Sequence, residues 1–185
     1  MKAQWRRRNL LSVLGEASIA IPDELELAFR RHHGVVFRTA YRITGNAVDA
    51  EDVLQTVFLR LLRRDRSSVS LENPEGYLRR AAINAALDVN RSRRADRTVP
   101  IPDDSLMPTT PARADSFGLR QALGRAMARL KPRPAEIFAL RFLEGLSNPQ
   151  ISHLLGISQV RVAVIVHRTR VQLQKELRPY LGDRL

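Results

Sequence analysis

Residues 147–170, SNPQISHLLGISQVRVAVIVHRTR, constrain the fold more tightly than any other stretch, because they read as a helix-turn-helix. Ser147 or Asn148 is placed to cap a first helix, and Pro149 suits its first turn, where a missing N–H costs nothing. Ile151 and Leu155 lie four apart on one helical face, with small Ser152 where two helices must approach closely. Gly156 supplies a residue that tolerates positive φ, as a tight inter-helix turn requires. Ile157 plugs the corner, Ser158 caps the second helix, and Val162 and Ile165 face back toward the first. Each sterically constrained position holds a suitable residue, and the motif points at the major groove of DNA.

With Ile151, Leu155, Ile157, Val162 and Ile165 inside, the outward positions of the second helix are Ser158, Gln159, Arg161, Ala163, Val164 and His167. Gln159 suits bidentate pairing with adenine, Arg161 a guanine or a phosphate, and Ala163 and Val164 the methyl groups of thymine. Arg168 and Arg170 suit backbone phosphates, which give affinity without sequence information. The competing reading is an ordinary helical hairpin, which Gly156 would also serve. Charge favours DNA: the 31 basic and 19 acidic residues give a formal net charge of +12, and such a chain accumulates on polyanions.

Around this motif the periodicity is helical throughout. Leu25, Ala28 and Phe29 open a 3.6-residue pattern that continues through Val36, Phe37, Ala40, Tyr41 and Ile43, and Gly45 ends it. Asn46, with Asp49 three residues later, reads as a capping-box variant opening a helix over residues 47–64. In that helix Val53, Val57 and Leu61 form one row and Leu54, Phe58 and Leu62 an adjacent one. After a polar connection over residues 67–73, Pro74 and Glu75 start a helix reaching Arg94. Residues 98–114 lose the apolar period and carry Pro100, Pro102, Pro108 and Pro111, which marks a linker. Fully stretched it reaches about 55–60 Å, so the blocks on either side need not touch. Helices are then expected near residues 116–130, 134–145, 147–155 and 158–178. The expected architecture is all-α: a basic extension (1–22), a first helical domain (23–97), the linker, and a second domain (115–185) holding the helix-turn-helix.

Enzymatic chemistry finds little to build on. The chain has no cysteine, which excludes disulfides, thiolate zinc sites and thiol catalysis. Adjacent His32 and His33 project about 100° apart on a helix and cannot share a metal as an i, i+4 pair does. His153 and His167 have no carboxylate at ligand spacing, and no glycine-rich phosphate loop occurs. No cofactor, metal or catalytic residue is expected. No apolar run approaches the ~20 residues that span a bilayer. The run Leu10 to Leu14 after Trp5-Arg6-Arg7-Arg8 is interrupted by Ser12 and ended by Gly15 and Glu16, too short for a secretory signal. A cytoplasmic protein without membrane insertion is the expectation.

Charge is segregated in the first block. Asp49, Glu51 and Asp52 stand at a helix N-terminus, where the helix dipole favours anions. Asp52, Gln55 and Leu59 fall on a stripe beside Phe58, a surface able to accept a basic partner helix. The next helix ends in a cluster, Arg91, Arg93 and Arg94. Dipole compensation explains one or two of these, and the whole set, with Arg79, Arg80 and Asn84 upstream, fits a nucleic-acid-facing surface.

DAEDVLQTVFLR (49–60) followed by YLRRAAINAALDVNRSRR (77–94) resembles region 2 of the extracytoplasmic-function sigma factors. ALGRAMARLKPRPAEIFALRFLEGLSNPQISHLLGIS (122–158), continuing to VHRTRVQLQKEL (166–177), resembles their region 4. The resemblance implies a bacterial transcription-initiation subunit with core RNA polymerase, promoter DNA and an anti-sigma factor as partners, monomeric when free. It implies that the helix from residue 49 docks on the clamp helices of core polymerase, with Asp52, Gln55 and Phe58 at matching positions beside Asp49, Glu51 and Leu59. It implies that residues 67–94 engage and open the −10 element, with Asn84 and Arg91 at matching positions and Arg80, Arg93 and Arg94 alongside. Ser70 and Asn73 are candidates to accept a flipped base. Binding energy would offset the few kcal/mol that unstacking costs per step. The second block would read the −35 element through Ser158, Gln159, Arg161, Val164, His167, Arg168 and Arg170. The linker, with Asp103 and Asp104, would pass through the polymerase toward the RNA exit path.

The chain departs from the family pattern at Thr56, where an acid is common, and at Ile83, where arginine is usual. In the second block Gln150-Ile151-Ser152 replaces glutamate-isoleucine-alanine, and Ala163 and Ile165 replace basic residues. Fewer phosphate contacts imply weaker binding by the isolated second block and a shallower salt dependence. LKPRPAEIFALRFLEGLSNPQIS (130–152) also resembles the LuxR-type regulators, but the first block lacks the alternating strands and acidic pocket of a receiver. A nucleic-acid-processing enzyme on a helical scaffold would need a metal or nucleophile constellation, and none stands out.

Overall fold

A computed structural model describes residues 23–63, 73–95 and 111–181. The expectations for residues 1–22, for Ser70 and for most of the linker lie outside these residues. The described residues form helices α1 (Asp23–Thr44), α2 (Ala47–Leu62), α3 (Pro74–Ala95), α4 (Pro111–Arg129), α5 (Pro132–Phe138), α6 (Asn148–Leu155) and α7 (Gln159–Leu181). A π-helical turn, Ala139–Leu143, extends α5. No strand occurs among them, which agrees with the all-α expectation. None of these helices is long and apolar enough to cross a membrane.

The first three helices pack on one another through the rows that the periodicity marks out. Phe29, Val36, Ala40 and Ile43 of α1 are buried against Val53, Val57 and Phe58 of α2 and Leu78, Ala82, Ile83, Ala86 and Leu87 of α3. Ile83 is fully buried, so its position suits an apolar side chain. Asn90 ties α3 to the end of α1 by donating from Nδ2 to the Ile43 carbonyl at 2.9 Å.

One cap and two helix boundaries differ from expectation. Asn46 does cap α2, its side chain accepting from the Asp49 N–H at 3.1 Å. Asp49 does not complete a box, because its carboxylate turns to Arg93. Helix α4 begins at Pro111, inside the stretch expected to be linker, since proline is tolerated in a helix's first turn. The helix expected over 134–145 is shorter and ends in the π turn, closed by Glu144 N–H donating to the Ala139 carbonyl at 3.0 Å.

The blocks, free to stand apart on linker length alone, pack together. Helices α4 and α5 lie against α3, and one apolar core runs through both blocks. Gly76 permits the approach of the helix-turn-helix. A Cβ there would come within 2.8 Å of Leu154 Cδ1 and 2.7 Å of Asn73 Nδ2.

Candidate functional site

The helix-turn-helix is built as its residues require. Ser147 and Gln150 form a full capping box, with Gln150 N–H donating to Ser147 Oγ at 3.4 Å and Ser147 N–H to Gln150 Oε1 at 2.8 Å. Gly156 takes the left-handed conformation, φ 62° and ψ 37°. Ser152 Oγ donates across the turn to the Ile157 carbonyl at 2.6 Å, and Arg133 donates to the Leu155 carbonyl at 3.1 Å. Ser158 caps α7 by accepting from the Arg161 N–H at 3.3 Å. Ile151, Leu155 and Val162 are buried, while Ile157 and Ile165 pack half-buried against the core.

Burying that face turns the opposite one outward. Ser158, Gln159, Arg161, Ala163, Val164, His167, Arg168 and Arg170 are all exposed, and Thr169 and Leu173 continue the inner face. Val160 joins the outer surface and is 74% exposed. In the sequence only its i, i+4 spacing to Val164 marks it. From Gly145 to Lys175 the chain contains no carboxylate. The surface is therefore cationic and methyl-rich, without internal anionic neutralisation.

The first block presents its candidates differently. On α2, Asp52 is exposed, while Glu51, Gln55 and Leu59 are half-buried. Phe58 is not part of that surface, because its ring is buried edge-on against Phe29, with centroids 4.9 Å apart. Asp49 is likewise withdrawn, 6% exposed and bonded to Arg93 at 2.5 Å. Burial pushes its carboxyl above the ordinary value and Asp52 adds to the shift, while Arg93 acts in the opposite direction. These two residues hold α2 from inside, so of the six candidates only Glu51, Asp52, Gln55 and Leu59 reach the surface.

Among the −10 candidates, Asn73 is exposed and caps α3 by accepting from the Gly76 N–H at 2.8 Å. Asn84 is half-buried, Arg94 is exposed, and Arg91 bonds Asp88 at 2.8 Å. Arg80 is not free, because its Nε donates to Glu136 of α5 at 2.8 Å. Arg79 donates to Glu144 at 2.5 Å and pairs with Glu75. Arg42 of α1 reaches the same Glu144 at 3.1 Å and the Leu143 carbonyl at 2.9 Å. The interblock roles of Arg42, Glu136 and Glu144 had no local signal in the sequence. No group of three or more metal-ligating side chains occurs among the described residues, and His33 is engaged with the Phe29 carbonyl and ring.

Comparison with known proteins agrees with this two-part construction. The family model described as Sigma-70 region 2 matches residues 28–98, and that described as Sigma-70, region 4 matches residues 120–173. The chain is similar to the ECF RNA polymerase sigma factor SigE of Mycolicibacterium smegmatis, 34% identical over 89% of this chain and 65% of that protein. It is similar to the RNA polymerase sigma-E factor of Streptomyces avermitilis, 30% identical over 83% of this chain and 85% of the relative. To the ECF sigma factor SigG of Mycobacterium tuberculosis it is 29% identical, and there it spans 57% of the relative's length. A solved structure titled as the RsbN-BldN complex matches with a TM-score of 0.29 and 24% identity, covering 89% of this chain and 95% of that one. The region 2 match to the first block decides against the LuxR-type reading, which rested on the second block alone. The chain belongs to the extracytoplasmic-function (ECF) RNA polymerase sigma factors.

Proposed function

We propose that this chain binds core RNA polymerase, recognises the −35 and −10 promoter elements and helps to open the DNA, without catalysis of its own. The observation that carries the reading is the exposed, carboxylate-free face of α7 on a correctly capped helix-turn-helix, joined in one chain to a block matching region 2. In the −35 element, Gln159, Arg161 and Val164 meet base edges, while Ser158, His167, Arg168 and Arg170 hold the backbone. Glu51, Asp52, Gln55 and Leu59 of α2 offer core polymerase an anionic and partly apolar stripe, which Asp49 and Phe58 support from beneath. Asn73, Asn84, Arg91 and Arg94 on α3 face the −10 region, with Arg80 and Arg93 available once their carboxylate partners release them. Ser70 belongs to the same proposed surface by its place in the sequence. Opening then needs no bond chemistry, only capture of unpaired bases by a cationic surface. The chain is read as cytoplasmic and monomeric when free, with an anti-sigma factor as a further partner.

Purified chain added to core polymerase is expected to start transcripts at a defined promoter. The readout is start-site mapping on a genomic template library. No stimulation of core on any template would sink the reading, and a palindromic footprint by a dimer without polymerase would replace it with a LuxR-type regulator.

A further inference from the structure

We propose that Val160 and Val164 of α7 read the C5-methyl groups of pyrimidines in the major groove. Duplex binding then depends on thymine methyls and rises when cytosines in the site are methylated at C5. The inference rests on the function read above and deepens it. It adds Val160 to the base-reading residues and makes the −35 contact responsive to enzymatic C5 methylation of cytosine.

Three observations converge on it, and the first is position. Val162 is fully buried and fixes the rotation of α7, and Val160 and Val164, two residues to either side, lie about 160° round the helix from it. Both therefore stand at the centre of the outer face, 74% and 42% exposed. Ser158 caps the helix, so Val160 is in its first turn, the part of a recognition helix that meets base edges. The second observation is chemical. Valine offers no donor or acceptor, and the apolar group that bases present in the major groove is the C5-methyl. Thymine carries it, uracil lacks it, and cytosine gains it on C5 methylation. Branching at Cβ holds each valine to one dominant rotamer in a helix, so ordering it against a methyl costs little entropy. The third observation is electrostatic. Arg161, Arg168 and Arg170 flank the valines, and no carboxylate occurs from Gly145 to Lys175, so the face suits a polyanion rather than a neutral apolar helix. Gln159 and Arg161 stand on either side of Val160, and their hydrogen bonds to adenine and guanine edges fix the register in which the valines meet methyls. The two valines are one turn apart, about 6 Å along the axis, and so address methyls about two base pairs apart.

The test uses the full chain, in which the outer face of α7 is already exposed. A random-sequence duplex pool is enriched on it, and the recovered duplex, labelled with fluorescein, is titrated by anisotropy. At each pyrimidine position four versions are compared: thymine or uracil opposite adenine, and 5-methylcytosine or cytosine opposite guanine. At two positions the methylated base is expected to bind about fourfold tighter than its unmethylated counterpart in both pairs. That factor corresponds to about 0.8 kcal/mol for one buried methyl-sized group. Val160→Ala is expected to bring the ratio near one at one of the positions, and Val164→Ala at the other. Ratios of one throughout in the wild-type chain, ratios unchanged in both variants, or failure to enrich any sequence would overturn the proposal.

Val171→Ala is the control. Val171 is exposed on the same side of α7 but about 16 Å beyond Val160 along the axis, out of reach of the bases that Val160 meets. Its substitution is expected to leave the fourfold ratios intact, and their loss in this variant would overturn the assignment to Val160 and Val164. Each ratio compares two duplexes on one protein, so a change in the folded fraction cancels. Because the titration contains no polymerase, it is read independently of whether core polymerase plus chain starts transcripts. Ratios of one would leave promoter recognition standing, and absence of transcripts would leave the ratios standing.

Discussion

Helices α3 and α7 are both cationic, and apart from exposed Arg94 the arginines of α3 are in the opposite state to those on the outer face of α7. On α7, Arg161, Arg168 and Arg170 are exposed and make no ion pair with any described residue. On α3, Arg79, Arg80, Arg91 and Arg93 all hold carboxylates, two of them from the second block. The contrast follows from where acids lie in the chain. The second block keeps its carboxylates away from its own recognition face, and Glu136 and Glu144 stand just upstream of it. One face presents its cations without carboxylate partners, whereas the other holds most of its cations in ion pairs.

The strongest way to probe the contrast is to damage each block's core in turn. Ile83→Ala in α3 and Ile151→Ala in α6 each delete a fully buried side chain, at a cost of about 2–5 kcal/mol. If the seam between the blocks couples them, both variants lower the melting of one shared calorimetric transition. Two transitions, each moved by its own variant, would show the blocks to be independent and the seam weak.

A smaller effect is expected at the turn of the helix-turn-helix. Gly156→Ala meets no neighbouring atom within 4 Å, so its cost is that of a left-handed backbone alone, about 1–2 kcal/mol. It should weaken duplex binding through α7 while leaving single-strand binding by the first block unchanged. Equal loss of both, measured by anisotropy on the two DNA forms, would break the separation between the faces.

The smallest effect belongs to Asp49. Its carboxyl titrates higher in the folded chain than in the unfolded one, so the folded state holds the proton more tightly. Its contribution to stability is therefore fully present below the unfolded value of about 3.8, and is lost as pH rises through the higher folded value. Relative to Asp49→Asn, the wild-type chain should lose stability over that window and then run parallel to it. Denaturant midpoints across the acid range check the sign.

These comparisons also show what could be read in the sequence. The capping and turn residues Ser147, Gly156 and Ser158, and the inward row Ile151, Leu155 and Val162, act through neighbours within one or two turns, and their spacing exposed the outer face of α7 directly. Phe58 was harder, because the row that buries it and the stripe beside it share one helix, and only the Phe29 ring decides which way it points. Asp49 looked like half of a capping box until Arg93, 44 residues away, took its carboxylate. The pairs at Glu136 and Glu144 join residues 56, 65 and 102 positions apart, a separation at which no periodicity or cap leaves a mark. Local chemistry was legible, and long-range charge pairing was not.

The central claim is that the two faces act together only on the polymerase. Permanganate reactivity of thymines upstream of a mapped start site tests it most directly. The account predicts reactive thymines when both chain and core polymerase are present, and none with either alone. Reactivity with the chain alone, or none with both at a promoter where transcripts start, would contradict it.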